Sequence, residues 1–158
     1  MKKVIVAAVS INNVIGKNGK IPWHSQEELS HFKNTTSDFP VLMGRRTWQS
    51  LIKPLENRLN IILSRDKALK PGHENVHVFN SFNNVLQYCE KEKFGKIFII
   101  GGGEIYKEAI NFCDEIILSK MNFETDGDVF FPEIKSETWK EISKKVFTDF
   151  TVHYYIRK

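Results

Sequence analysis

The sequence predicts one α/β domain built on a mainly parallel sheet, and three observations support that fold class. Short β-branched segments alternate with helical patterns along most of the chain, as in strands joined by crossover helices. After Pro132 the segments alternate apolar and polar residues, which is typical of an antiparallel hairpin at a sheet edge. A chain of 158 residues can bury one sizeable core and is too short to suggest two domains.

The parallel strands are predicted from short, continuous apolar runs, which indicate strands covered on both faces. In chain order they span residues 4–9, 41–43, 60–63, 76–79, 97–100 and 115–121. Helical patterns separate them at residues 25–35, 46–52, 81–91 and 103–112. The last two segments, 139–147 and 151–157, flank Thr148 and Asp149 and form the predicted hairpin.

Composition and charge narrow the class of protein. The chain has 23 basic and 19 acidic residues, but Lys and Glu interleave, as in residues 90–93, which favours a solvated face over a nucleic-acid surface. Residues 1–9 lack a signal-peptide cleavage pattern, and no run approaches the roughly 20 apolar residues of a membrane span. We therefore expect a cytoplasmic protein with no membrane partner and no metal site, in which Cys89 and Cys113 are buried free thiols.

One acidic residue, Glu28, falls on the apolar face of the first predicted helix, with Leu29, Phe32 and Thr36 as helical neighbours. A carboxylate held partly out of water must find hydrogen-bond donors or take up a proton. Either outcome suits a ligand that offers N–H groups. Glu28 is therefore a candidate for the chemical centre.

The local sequence favours a different interpretation of the same residue. Residues 25–28 read Ser-Gln-Glu-Glu, which is the S-x-x-E pattern of a capping box. In that hypothesis Glu28 only accepts a hydrogen bond from the amide of Ser25. Glu27 shares its helical face with His31 and Asn34 and is expected to be solvated.

Three predicted strands end in residues suited to a phosphorylated ligand. Gly101, Gly102 and Gly103 join a strand to a helix, a turn that lets backbone N–H groups approach a diphosphate, although a tight turn that binds nothing has the same pattern. A second strand leads into Gly44, Arg45, Arg46 and Thr47, and a third into Ser64 and Arg65, a pair suited to a ribose 2′-phosphate. Carboxyl ends of neighbouring parallel strands meet at one sheet edge, where ligands of open α/β sheets bind.

In their order and spacing these segments resemble the dihydrofolate reductase family over nearly the whole chain. The matching segments are Val6-Ala7-Ala8, Val14-Ile15-Gly16, Ile21-Pro22-Trp23, Glu28-Leu29, Phe32-Lys33, Met43-Gly44-Arg45, Thr47-Trp48, Pro54-Leu55, Asn57-Arg58, residues 60–64, 100–103, Tyr106, Asp126-Gly127-Asp128 and Phe131-Pro132. The resemblance implies the family's fold, with an eight-stranded sheet and about four helices. It also implies a monomer that reduces 7,8-dihydrofolate with NADPH and binds antifolate inhibitors.

The resemblance also assigns roles to individual residues. It places Glu28 on the pterin and Tyr106 beside the nicotinamide. Because it places no His or Lys to donate to pterin N5, we predict that a water near Ile21, Trp23 and Glu28 delivers that proton. The substrate residues it implies are Val6, Glu28, Leu29, Phe32, Lys33, Leu51, Leu55, Arg58, Ile100 and Ser119. The cofactor residues it implies are Ala8, Ile15, Gly16, Asn18, Gly19, Lys20, Gly44, Arg45, Arg46, Thr47, Ser64, Arg65, Gly101, Gly102, Gly103, Glu104, Ile105 and Tyr106. Residues 15–20 form a Gly- and Asn-rich loop that is expected to close as a lid.

Some positions depart from the family's usual pattern. Glu28 stands where many bacterial members have Asp, Ser119 where Thr is usual, and Glu104 where some relatives have Arg. Glu56-Asn57 replaces a frequent Pro-Gly before the tail-binding Arg58. Two other functions stay open at this point: an NADPH reductase of the same fold that acts on a ribosylated pyrimidinone, and a basic module that binds nucleic acid.

Overall fold

An eight-stranded sheet organises the computed structural model, which describes all residues from 1 to 158. The strands are β1 (Lys2–Val9), β2 (Val14–Gly16), β3 (Val41–Gly44), β4 (Asn60–Leu63), β5 (Val76–Phe79), β6 (Lys96–Ile99), β7 (Glu115–Met121), β8 (Val129–Phe130), β9 (Trp139–Val146) and β10 (Phe150–Arg157). The helices are α1 (Gln26–Thr36), α2 (Arg45–Ser50), α3 (Phe82–Lys91) and α4 (Gly103–Ala109). The strand order of the large sheet is β5-β4-β3-β6-β1-β7-β10-β9, and β2 pairs with β8 separately.

The six strands from β5 to β7 in that order are parallel, as the sequence predicts. The central strand β1 lies between β6 and β7, and Val4, Ile5 and Val9 are fully buried. Apolar clusters cover both faces of the sheet, which explains why these strands have continuous apolar runs. The parallel arrangement brings the carboxyl ends of all six strands to one edge.

The C-terminal hairpin is confirmed. Strand β10 pairs antiparallel with both β7 and β9, and β9 forms the outer edge of the sheet. Only Trp139 is buried on β9, while the rest of that strand is exposed. Strand β9 is therefore exposed on both faces beyond Trp139, and the buried face that its alternating pattern predicts does not form there, because β9 is the edge strand.

The structure differs from the sequence prediction at the end of α4 and in two short strands. Helix α4 ends at Ala109, not 112, and Cys113 lies beyond it, although both cysteines are buried and free as expected. Arg157 holds that helix end by donating from Nη2 to the carbonyl of Ile110 at 2.7 Å. Strands β2 and β8 were not predicted, because segments of three and two residues are too short for a periodic pattern. The longest helix has 11 residues, so no helix can cross a membrane.

Candidate active site

A cleft of about 2240 Å³ opens at the carboxyl ends of the parallel strands, with α1 forming one of its walls. Residues at or just after the ends of β3, β4, β5 and β6 line it, together with residues 6–8 of β1. Sites for one small ligand usually measure about 300–1,000 Å³. The cleft therefore has room for two organic ligands side by side.

Glu28 lies on the α1 wall of this cleft and is 9% exposed. Its carboxylate makes no ion pair, and its backbone N–H is the only group of Glu28 in a hydrogen bond to another side chain. Burial alone raises the pKa of the Glu28 carboxyl to about 7. Both protonation states of the Glu28 carboxyl are therefore accessible at neutral pH. N–H donors from a ligand would favour the ionised form.

Only half of the predicted capping box forms. Ser25 is the N-cap of α1, and its Oγ accepts a hydrogen bond from the backbone N–H of Glu28 at 3.2 Å. The reciprocal bond from the carboxylate of Glu28 to the amide of Ser25 is absent. The carboxylate is consequently available to the cleft, and the hypothesis that Glu28 is merely a cap is wrong.

The turn between β9 and β10 holds the start of α1 in place. Glu27, which the sequence predicts to be solvated, is partly buried and accepts a hydrogen bond from the backbone N–H of Thr148 at 3.0 Å. Ser25 donates from Oγ to the carboxylate of Asp149 at 3.2 Å. His31 also packs there, with its ring centroid 5.5 Å from that of Phe147. The helix that carries Glu28 is thus anchored from the side opposite the cleft.

Apolar side chains surround Glu28 on the cleft wall. The predicted apolar substrate residues that line the cleft are Val6, Leu29, Phe32, Leu51, Leu55 and Ile100. Ile21 and Leu29 are 60% and 45% exposed, which leaves large apolar surfaces at the mouth of the cleft. These walls suit a flat, mostly apolar ring system that brings its own hydrogen-bond donors to Glu28.

Arg58 supplies a buried positive charge at the same end of the cleft, and Lys33 also lines it. Arg58 donates to the carbonyl of Glu56 at 2.7 Å and to Oγ1 of Thr36 at 2.7 Å. Burial lowers its pKa, although Asp38 and Glu56 act in the opposite direction. Asn57, which precedes it, has φ 57°, so asparagine takes the left-handed conformation that glycine usually provides.

The glycine turn after β6 lies between two halves of the cleft, one along α1 and one at the ends of β3 and β4. Gly101 has φ 120°, and a Cβ at that position would lie 3.2 Å from the hydroxyl of Tyr106. The hydroxyl of Tyr106 donates to the carbonyl of Val6 at 2.8 Å, which joins α4 to β1. Burial, with a smaller contribution from the charge of Glu28, raises the pKa of Tyr106 far above its usual value. Tyr106 is therefore a fixed neutral hydrogen-bond donor.

Three arginines line the other half of the cleft, at the ends of β3 and β4. Arg45 forms an ion pair with Asp66 at 3.6 Å, whereas Arg65 is exposed and makes no ion pair. Glu104, which the sequence places among these cations, is paired with Lys107 at 3.1 Å. Most of the charge in this half can therefore meet an anionic ligand.

The loop of residues 15–20 borders the cleft and is held by the segment around β8. Asp128 donates its N–H to the carbonyl of Gly16 at 3.0 Å and accepts with its carboxylate from the N–H of Asn18 at 3.0 Å. A Cβ on Gly127 would lie 2.1 Å from Cγ1 of Val14, so only glycine fits there without a shift. The loop position thus depends on residues more than 100 positions away in sequence.

Four of the predicted site residues lie outside the lining of the cleft. Trp23 packs edge-on against Phe123 at 5.7 Å and contacts the cluster around Met121 and Phe150. Ser119 is buried on β7, between β1 and β10. Asn18 is engaged with Asp128, and Gly101 lies behind Tyr106 with its carbonyl bonded to the N–H of Gly44 at 2.8 Å. The other predicted substrate and cofactor residues line the cleft.

The sequence interpretation missed part of the lining. The residues concerned are Ala7, Ser50, Leu63, Asp66, Asn80, Ser81, Phe82, Lys107, Glu108, Asp128, Val129 and Phe130. Asn80 and Ser81 follow a fourth parallel strand, β5, and the strand-end argument used for the other three would have found them. Val129 and Phe130 gave no local signal, because a long-range strand pairing brings them to the cleft.

Comparisons with known proteins give one consistent result. Residues 3–157 match the protein family described as dihydrofolate reductase. The dihydrofolate reductase of Haemophilus influenzae is 38% identical over 136 residues, 86% of this chain and 82% of that protein. That of Mycoplasma genitalium is 35% identical over 160 residues, 98% of each chain. A solved dihydrofolate reductase from Enterococcus faecalis, complexed with NADP(H) and RAB-propyl, superposes with a TM-score of 0.88 at 30% identity, covering 99% of this chain and 96% of that one.

Proposed function

The chain belongs to the dihydrofolate reductase family, and from that premise we propose how its own residues carry the reaction. The protein is an NADPH-dependent oxidoreductase that reduces 7,8-dihydrofolate to 5,6,7,8-tetrahydrofolate. We assign the reaction to the whole of residues 1–158 as one domain. The observation that carries the assignment of roles is the buried carboxylate of Glu28, which faces the cleft without a protein partner.

The half of the cleft at the strand ends fits NADPH. Gly44 and Gly102 expose backbone where side chains would fill the space, and Thr47 and Ser64 offer hydroxyl groups. Arg45, Arg46 and Arg65 would hold the phosphates, with Arg65 and Ser64 suited to the 2′-phosphate. When bound, the cofactor supplies a hydride to the substrate.

The half of the cleft along α1 fits the pterin and its tail. The carboxylate of Glu28 would accept two N–H bonds from the pterin, a bidentate match that fixes which ring face and edge meet the cofactor. Phe32, Leu55 and Ile100 would enclose the rings and exclude water. Arg58 would bind the α-carboxylate of the tail, because it is buried and has no acidic partner of its own.

The reaction also needs one proton at pterin N5, and the residues near that end restrict its source. The basic side chains that line the cleft are all lysines and arginines, none of them a histidine. We assign the delivery of the proton to a water admitted beside Ile21, with Glu28 favouring the protonated pterin through its charge. Tyr106, fixed and neutral, would lie beside the nicotinamide. The role of Trp23 would then be indirect, since it packs against Phe123 outside the lining of the cleft.

The loop of residues 15–20 would act as the lid over the nicotinamide. Its bonds to Asp128 hold it beside the cleft, and glycine and asparagine at positions 16, 18 and 19 leave it few apolar anchors. We further propose that the protein works as a monomer and binds antifolate inhibitors through Glu28. A diaminopyrimidine cation would form the same bidentate pair with this carboxylate.

The decisive assay follows NADPH oxidation with dihydrofolate, with the ribosylated pyrimidinone, and with no second substrate. Oxidation that requires dihydrofolate supports the proposal. Oxidation only with the pyrimidinone would overturn it. The buried hydrogen bond from Arg58 to Thr36 beside the cleft argues against that outcome. The Glu28→Gln variant tests the assignment of roles, which would be wrong if that variant kept full turnover at neutral pH.

A further inference from the structure

The surroundings of Arg58 show a guanidinium that is fixed at two points and open at a third. Nε donates to the carbonyl of Glu56, and Nη1 donates to Oγ1 of Thr36, each at 2.7 Å. Nη2 has no hydrogen-bond partner in the protein, and no carboxylate lies within 4.0 Å. Since Arg58 is 8% exposed and lines the cleft, an anion bound there would meet a charge with little water around it.

Thr36 is the only side chain that holds this guanidinium. It is the last residue of α1 and is fully buried. Its hydroxyl donates to the carbonyl of Phe32 at 2.9 Å and accepts from Arg58 at 2.7 Å. The proton is committed to Phe32, so the oxygen presents an acceptor to a group that can only donate.

The backbone N–H of Asp38, just beyond α1, donates to the carbonyl of Asn57 at 3.0 Å, but only the bond from Arg58 to Thr36 connects the guanidinium itself to α1. Without it, Arg58 would be held through Nε alone, by the carbonyl of Glu56 in its own loop. With it, the guanidinium is fixed relative to α1, the helix that also carries Glu28 and Phe32. The distance between the ring-binding carboxylate and the tail-binding guanidinium is thereby set by one rigid element.

We propose that Thr36 is a positioning residue for the tail carboxylate of the substrate, acting through Arg58 without touching the substrate. The inference rests on the proposed function, in which Arg58 binds that carboxylate. It extends that function because it assigns part of the recognition of the tail carboxylate to the last residue of α1. The hydroxyl is the essential group, and the shape of the side chain is secondary.

The test compares two substrates and two substitutions. Thr36→Val keeps the branched shape and removes the hydroxyl, while Thr36→Ser keeps the hydroxyl. For Thr36→Val we expect KM for dihydrofolate to rise about tenfold with kcat nearly unchanged, because one hydrogen bond to a charged group is lost. A dihydropterin with a methyl group in place of the tail should show unchanged kcat and KM. Thr36→Ser should restore KM for dihydrofolate.

Arg58→Leu separates failure of this inference from failure of the proposed function. If Arg58→Leu raises KM for dihydrofolate alone, Arg58 has the assigned role, and Thr36→Val should add no further effect in that background. If Arg58→Leu leaves both substrates unaffected, the proposed function of Arg58 is wrong. If Arg58→Leu acts but Thr36→Val changes both substrates equally, or neither, the role of Thr36 is wrong. Should Thr36→Val not fold, Thr36→Ala provides the same comparison.

Discussion

The two halves of the cleft hold their charges in different ways. Along α1 the two charged groups assigned to the pterin and the tail are buried, with Glu28 9% and Arg58 8% exposed. At the strand ends the side chains of Arg45 and Glu104 are 46% and 89% exposed. Buried charges are costly to leave unpaired and are hardly screened by salt, whereas exposed charges are individually weak and strongly screened. The substrate half should therefore depend on single residues, and the cofactor half on several acting together.

The largest effect should come from removing the charge of Glu28. We expect Glu28→Gln to lower kcat/KM for dihydrofolate at neutral pH by about 100-fold or more, because a neutral amide can offer only one good acceptor to the two pterin N–H groups. Steady-state kinetics with saturating NADPH measures this. Glu27→Gln is the matched control, since its amide oxygen can still accept from Thr148. Equal losses in both variants would contradict the distinction between the two glutamates.

The same substitution should change how stability depends on pH. The pKa of Glu28 is raised from 4.5 to about 7, so between those values the folded protein binds a proton that the unfolded chain has released. Stability from this group is therefore fully present below pH 4.5 and is lost as pH rises to about 7. The pKa difference corresponds to roughly 3 kcal/mol.

Urea unfolding of the ligand-free protein at about pH 4 and about pH 8 measures this term. Glu28→Gln should gain stability relative to the wild type as pH rises, since the variant has no carboxyl to ionise in the apolar wall. A stability difference that does not change between the two pH values would show that the carboxylate is solvated in the folded protein.

A smaller effect is expected at Arg65, where the charge is exposed. Arg65→Ala should reduce the preference for NADPH over NADH about tenfold, because one charged contact to the 2′-phosphate is lost. The ratio of kcat/KM for the two cofactors measures it. Lys140→Ala, on the exposed edge strand β9, removes one positive charge away from the cleft and should leave the ratio unchanged.

The smallest effect is expected at Glu104. Glu104→Gln should tighten NADPH binding about two- to threefold at low salt, because it removes a negative charge near the phosphates and releases Lys107. The gain should shrink at high salt, when exposed charges are screened. Fluorescence titration at two salt concentrations measures it, with Glu137→Gln as the control. A gain that salt does not alter would mean that Glu104 acts by shape and not by charge.

Much of the fold follows from local patterns in the sequence. The parallel strands and the hairpin are predictable from apolar runs and their alternation, and the starts of α1 and α3 from the capping residues Ser25 and Ser81. The turns after β3, β4 and β6 that line the cleft are equally predictable, since each directly follows a strand. Strands β2 and β8 are not, because their pairing joins Val14 to Phe130.

The substrate half depended on contacts that no local window contains. Locally, Glu28 fits a capping box, and Arg58 is a single arginine in a loop. In the structure only one of the two hydrogen bonds of the capping box forms. The start of α1 is bonded to Thr148 and Asp149, and Arg58 is buried against Thr36. These contacts join residues 22 to 124 positions apart.

The sequence by itself therefore determined the order of the elements and the strand-end turns, because those depend on the types of neighbouring residues. Only the tertiary structure decided that Glu28 faces the cleft as an unpaired carboxylate. That outcome depends on how much water surrounds the carboxylate and on which donors can reach it, and both are set by the packing of distant segments.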